Sequence, residues 1–100
     1  AADDDMAVGV LKAIDQAKRS DIKIVFGGAG AKGMVKTLMD GKDPRIQANV
    51  SYSPKFIYDA IKLTAEARLK GDKLPATTII PSVLITKDNA KDFYFPDSPF

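Results

Sequence analysis

The residues with the most obvious chemical potential lie in one short run, Gly28-Ala29-Gly30-Ala31-Lys32-Gly33. It matches G-x-G-x-x-G, a spacing that lets a backbone approach a pyrophosphate at a helix N-terminus. The same glycines also make a plain tight turn. A dinucleotide site further places an acidic residue about 20 positions on, at the end of the next strand. Val50 to Tyr52 provides none, and no G-K-[ST] follows the glycines. The tight turn is therefore the preferred reading, and a nucleotide-using enzyme stands behind it.

Elsewhere the chemical repertoire is narrow. The 100 residues include no histidine and no cysteine. Ser-His-Asp and Cys-His catalysis, disulfides, thiolate metal sites and the commonest zinc ligands are all removed. Carboxylates, lysines, tyrosines and hydroxyls remain, so most enzyme classes are disfavoured and no cofactor is called for. Fifteen basic and thirteen acidic residues leave a net charge of +2. The lysines spread from Lys12 to Lys91 without a dense cluster, so nucleic acid is not an expected partner. A 45% apolar and 28% charged composition is ordinary for a globular protein. No run approaches the roughly 20 apolar residues of a membrane span. The chain opens on Ala-Ala-Asp-Asp-Asp with no export-signal pattern, as a processed exported protein also would.

The elements that must position these groups alternate. Asp3, Asp4 and Asp5 precede an apolar stripe at Met6, Val10, Ile14 and Ala17, which predicts a helix from Asp4 to Ser20 with Lys18 and Arg19 in its last turn. Ile22 to Phe26 reads as a buried strand. After the glycine turn, Ala31, Met34, Val35 and Leu38 form a helix face, with Gly41 just past its end. Ile46 to Tyr52 alternates as a strand. Ser53-Pro54 starts a helix that carries Ile57, Ala60, Ile61, Thr64 and Leu69 and stops near Lys70, before Gly71. Thr77 to Thr86 is strand-like, and Pro81 marks an edge, bend or crossing within it. The order α-β-α-β-α-β predicts an α/β fold, a parallel sheet with flanking helices.

Ligands of open parallel sheets bind beyond the carboxyl ends of the strands. Three such ends are readable: Asp3 (if a strand precedes it), the Gly27–Gly30 turn, and Tyr52. Each has a plainer explanation, as helix cap, chain reversal and gap filler. Their shared location makes a common binding rim the stronger joint expectation.

These residues resemble a family. The segment A-A-D-D-D-M-A-V-G followed by L-K-A-I is similar to the A-x-N-D-x-M-A-x-G segment of periplasmic sugar-binding proteins of the ribose- and galactose-binding type. The likeness continues through I-V-F-G-G-A-G, M-D-G-K, A-N-V-S-Y-S-P, L-K-G-D-K-L-P and V-L-I-T-K-D-N, over essentially the whole chain. The resemblance implies a non-enzymatic, two-lobed receptor of the type I periplasmic binding protein fold, located in the periplasm. Such a receptor closes on a sugar or sugar alcohol and delivers it to the membrane permease of an ABC transporter. Effector domains of lactose-repressor-type regulators share the fold and form the alternative.

The family's ligand positions map by motif onto Asp3, Ala29 and Tyr52, where the family carries asparagine, aspartate and glutamine. All three depart from its pattern. Loss of the turn carboxylate at Ala29 removes a strong acceptor for adjacent sugar hydroxyls. Asp3 offers an acceptor from the other side, and Tyr52 an aromatic face with a hydroxyl. The resemblance further implies a C-terminal stretch of a chain about three times as long, with two lobe crossings near Tyr52–Ser53 and Pro81–Ser82. Residues 1–52 and 82–100 then belong to one lobe and 53–81 to the other. The uncovered apolar helix faces are expected to require the missing N-terminal part, or a swapped oligomer. The aromatic run Asp92 to Pro96 is expected to fold back as a strap.

Overall fold

In the computed structural model, residues 1–99 are described. Four named elements form around a small core: α1 (Asp4–Gln16), α2 (Lys32–Asp40), β1 (Ala48–Val50) and β2 (Leu84–Thr86). A fifth, α3 (Lys55–Lys70), stands away from them, and a single 3-10 turn follows β2 at Ala90–Phe93. The core comprises Ala7, Ile14, Val25, Met34, Val35, Leu38, Ile46, Ile85 and Ala90. All nine lie in residues 1–52 or 82–99; α3 contributes no buried residue. This separation gives a radius of gyration of 17.1 Å, against about 13 Å for a compact domain of this length.

Helix α1 shows how buried polarity overrides an apolar pattern. It ends at Gln16 rather than Ser20, because Lys18 turns into the left-handed region (φ 52°). The amides of Lys18 and Arg19 then donate to the carbonyls of Asp15 and Ile14, a Schellman closure without glycine. Lys18 and Arg19 therefore lie past the helix, and Arg19 pairs with Asp21 at 2.6 Å instead. The inward face is also rotated from the expected stripe. Asp4, Ala7 and Ile14 are buried, with Leu11 packed beside them, while Met6 and Val10 are exposed. Turning Asp4 inward fixes positions three, seven and ten residues on as the core face.

Helices α2 and α3 end as their glycines predict. Gly41 and Gly71 are left-handed at φ 62° and 73°, and each opens a Schellman closure through the following residue. At the start of α3, Pro54 already has helical dihedrals and Ser53 Oγ accepts from the Lys55 amide.

The strands are shorter than their apolar runs. Residues 22–28 are extended but form no named strand, because the chain opposite them turns at Asp43–Ile46. One bond, from the Val25 amide to the Arg45 carbonyl at 2.9 Å, joins the two segments. The Arg45 guanidinium also chelates Asp43 and reaches Asp15 at 2.7 Å, which ties the end of α1 to this turn. On the other side, β1 pairs with β2 antiparallel, with Asn49 opposite Ile85. The parallel connection lies at the Ala29–Ser51 bridge. The expected run from Thr77 is strand only at 84–86, beyond Pro81.

Candidate functional site

A cleft of about 910 Å³ opens where the N-terminus of α1, the glycine turn and the end of β1 meet. Asp3, Ala29 and Tyr52 all line it. Asp3 is the cap of α1, in extended backbone, and its Oδ1 accepts from the Met6 amide at 2.8 Å. Ala29 contributes backbone rather than a functional side chain. Its amide donates to the Val50 carbonyl at 2.9 Å, and its own carbonyl accepts from the Tyr52 amide at 3.0 Å. Tyr52 is 71% exposed, with the Phe56 ring edge-on at 5.9 Å.

Ala29 has φ 117°, a conformation that L-residues rarely hold and that costs about 1–3 kcal/mol. The surroundings over-determine it. Besides the bonds to Val50 and Tyr52, the next two amides are engaged by a residue outside the turn. Asp4 Oδ2 accepts from the Ala31 amide at 2.7 Å, and the Gly30 amide also donates to this carboxylate. Asp4 Oδ1 accepts from Asn49 Nδ2 at 2.6 Å. Asp4 is only 3% exposed. Burial pushes its carboxyl above the ordinary carboxylate range, the bonds from Asn49, Ala31 and Gly30 pull it back, and nearby Asp3 adds to the rise.

This arrangement settles how the glycine motif is used. A pyrophosphate would need the free amides at the start of α2. The Gly30 and Ala31 amides that lead into α2 already face the Asp4 carboxylate, which would repel a second anion there. Gly33, the third glycine of the pattern, has open space where its Cβ would be, so no close packing requires it. Gly27, outside the pattern, is the constrained one: a Cβ there would fall 2.3 Å from Asp4 Oδ1.

The far wall of the cleft comes from the chain's end. Phe93 and Tyr94 pack against the core, as a strap would, whereas Phe95 is exposed and lines the opening. Lys32 Nζ fastens this segment by donating to the carbonyls of Pro96 and Ser98 at 3.1 and 2.6 Å. Sequence reasoning did not single out Asp4, Asn49 or Lys32 for the site. An aspartate in a first helical turn reads as a cap, and Asn49 sits unremarked in an alternating strand. Among the described residues, no group of three or more acidic side chains is placed to hold a metal ion.

Comparison with known proteins places this architecture. An ABC transporter solute-binding protein from Mycobacterium smegmatis, solved with bound glycerol, superposes at a TM-score of 0.70 with 27% identity, over 91% of this chain and 31% of its own. A galactofuranose-binding protein matches at TM-score 0.69 and 25% identity, over 93% and 31%. A periplasmic solute-binding protein from Actinobacillus succinogenes, with bound D-allose, gives 0.70 at 20% identity, over 90% and 30%, a likeness of fold alone. The fold is that of an incomplete piece of a type I periplasmic binding protein. The type I match spans under a third of the length of these neighbours. No family model matches the chain, and no curated protein matches it in sequence.

Proposed function

We propose that the chain forms one wall of the ligand cleft of an ABC-transporter solute receptor for a sugar or sugar alcohol, without catalytic activity of its own. The observation that carries this reading is the convergence of Asp3, the Ala29 turn and Tyr52 on one cleft in a type I fold. In this role the Asp3 carboxylate accepts from a ligand hydroxyl. The Ala29 turn supplies shape instead of charge, and the Tyr52 ring stacks on the apolar face of the ligand. The glycerol, D-allose and galactofuranose named for the structural neighbours define a fitting ligand class. Delivery to a membrane permease, in the periplasm, follows from the same reading.

The lobe assignment is part of the proposal. Residues 1–52 and 82–100 form one lobe and 53–81 enter the other. Two features support it: the core lies wholly in the first two segments, and Ile57, Ile61 and Leu69 of α3 are exposed at 68%, 63% and 88%. Preceding sequence of the same protein, or a swapped copy, would cover α3. The test is a thermal-shift and calorimetric screen of the polypeptide encoded by the whole gene against sugars and polyols, starting with glycerol and D-allose. Saturable binding that weakens in Asp3→Ala and Tyr52→Ala supports the reading. Binding of a dinucleotide but of no sugar or polyol defeats it.

A further inference from the structure

We infer that Asp4 is the positioning residue of the cleft: its carboxylate, reaching from α1, holds the Ala29–Ala31 turn in its strained form and locks that turn to β1 through Asn49. The inference rests on the proposed cleft for its functional meaning, but its geometry stands independently.

Four observations carry it. First, Asp4 is buried, no cation pairs with it among the described residues, and its carboxylate accepts from Gly30, Ala31 and Asn49. Second, α2 begins without a side-chain cap of its own, since its N-cap residue is Ala31. From another helix, Asp4 accepts from the amide of that N-cap residue, a donor the helix itself leaves unpaired, and from the Gly30 amide before it. Third, residue 27 is glycine where any Cβ would collide with Asp4 Oδ1, so the chain is shaped around this carboxylate. Fourth, Asn49 is fully buried and makes its Nδ2 bond to Asp4, while its Oδ1 has no partner among the described residues. An orphaned buried acceptor is costly, and the bond to Asp4 offsets part of that cost.

The consequence concerns ligand recognition. Asp3 is the neighbour of Asp4, Ala29 lies two residues before the bonded Ala31 amide, and Tyr52 is bonded to Ala29. A single carboxylate therefore sets the mutual distances of all three rim positions, although it touches no ligand itself. The absence of a side-chain carboxylate at Ala29 makes the backbone shape of the turn, and hence Asp4, more decisive for which ligand fits.

The test uses amide hydrogen exchange and binding on three variants of the whole-gene polypeptide. In Asp4→Ala, protection of Gly30 and Ala31 relative to Leu38 falls about tenfold to a hundredfold, the loss expected for a charge-assisted bond. Asp4→Asn keeps an acceptor for these amides, and its Nδ2 can meet Asn49 Oδ1 once that amide turns over, so most of the protection returns. Ile14→Ala lowers global stability from the same helix but leaves the ratio to Leu38 unchanged. Affinity for D-allose or glycerol, whichever the wild type binds, drops about tenfold or more in Asp4→Ala and recovers in Asp4→Asn. Unchanged exchange at Gly30 and Ala31 in Asp4→Ala overturns the inference, as does Asp4→Asn behaving like Asp4→Ala. If the wild type binds neither probe, the receptor reading fails for these ligands and the exchange ratios alone decide the role of Asp4.

Discussion

Replacing Gly27 by alanine should damage this protein more than any other single methyl addition to its glycines. The added Cβ would lie 2.3 Å from Asp4 Oδ1, 3.4 Å from its Cγ and 3.3 Å from the Ala7 Cβ. A carbon and an oxygen need roughly an ångström more, so either Asp4 or the 26–28 backbone must move. Overpacking of this kind costs about 1–3 kcal/mol. The displaced carboxylate also stretches its bonds to Asn49 and Ala31, each worth about 1.5–3 kcal/mol when one partner is charged. Partial loss of both brings the expected total to about 3–5 kcal/mol, a large share of the stability of any domain this size. Urea unfolding followed by far-UV circular dichroism measures it. The diagnostic comparison is a double-mutant cycle. In an Asp4→Ala background both the obstacle and the bonds it stretches are gone, so adding Gly27→Ala should cost about 2–4 kcal/mol less than it does alone. A Gly27→Ala protein within about 0.5 kcal/mol of wild type, or strict additivity in the cycle, would refute the packing of Asp4 against this turn.

Four further outcomes follow from other parts of the structure. Ile85→Ala, at a fully buried position on β2, should cost about 2–5 kcal/mol by the same unfolding assay. Arg45→Met should lower stability measurably at low salt and less at high salt, because the pairs with Asp43 and Asp15 are only partly shielded from water. The Arg45 guanidinium holds the Asp43 carboxyl below its ordinary range, so its stabilisation is complete above pH 3.8 and fades as the pH falls through the lowered value; Arg45→Met should flatten that part of an acid-unfolding curve. Ile57→Lys with Ile61→Lys should leave stability within about 0.5 kcal/mol while reducing association of the isolated 100-residue chain in sedimentation experiments, since both residues are exposed on α3.

The helices were legible because their signals are local. Asp3 caps, Gly41 and Gly71 stop, and Ser53-Pro54 starts, each through bonds within a few residues. The strands were only half legible. Ile22 to Phe26 has the composition of a strand, but what pairs with it depends on a turn at Asp43–Ile46 that a residue count does not reveal. The antiparallel registration of Asn49 with Ile85 likewise joins positions 36 residues apart. The positions proposed for the rim, Asp3, Ala29 and Tyr52, came from element ends and from the family resemblance, and all three line the cleft. Asp4 was not legible, because its role arises from contacts 27 and 45 residues away, and its type and position already had a sufficient local explanation. The rotated face of α1 has the same origin: Met6 and Val10 fit the apolar period, but the carboxylate determines which side turns inward.

The most direct measurement of the central claim is isothermal titration of the whole-gene polypeptide with a panel of sugars and polyols, alongside Asp3→Ala. A sugar or polyol should bind saturably at a single site, with affinity lowered about tenfold by the loss of the Asp3 carboxylate. Absence of heat for every sugar and polyol, or binding indifferent to Asp3, would contradict a receptor whose ligand sits on this rim.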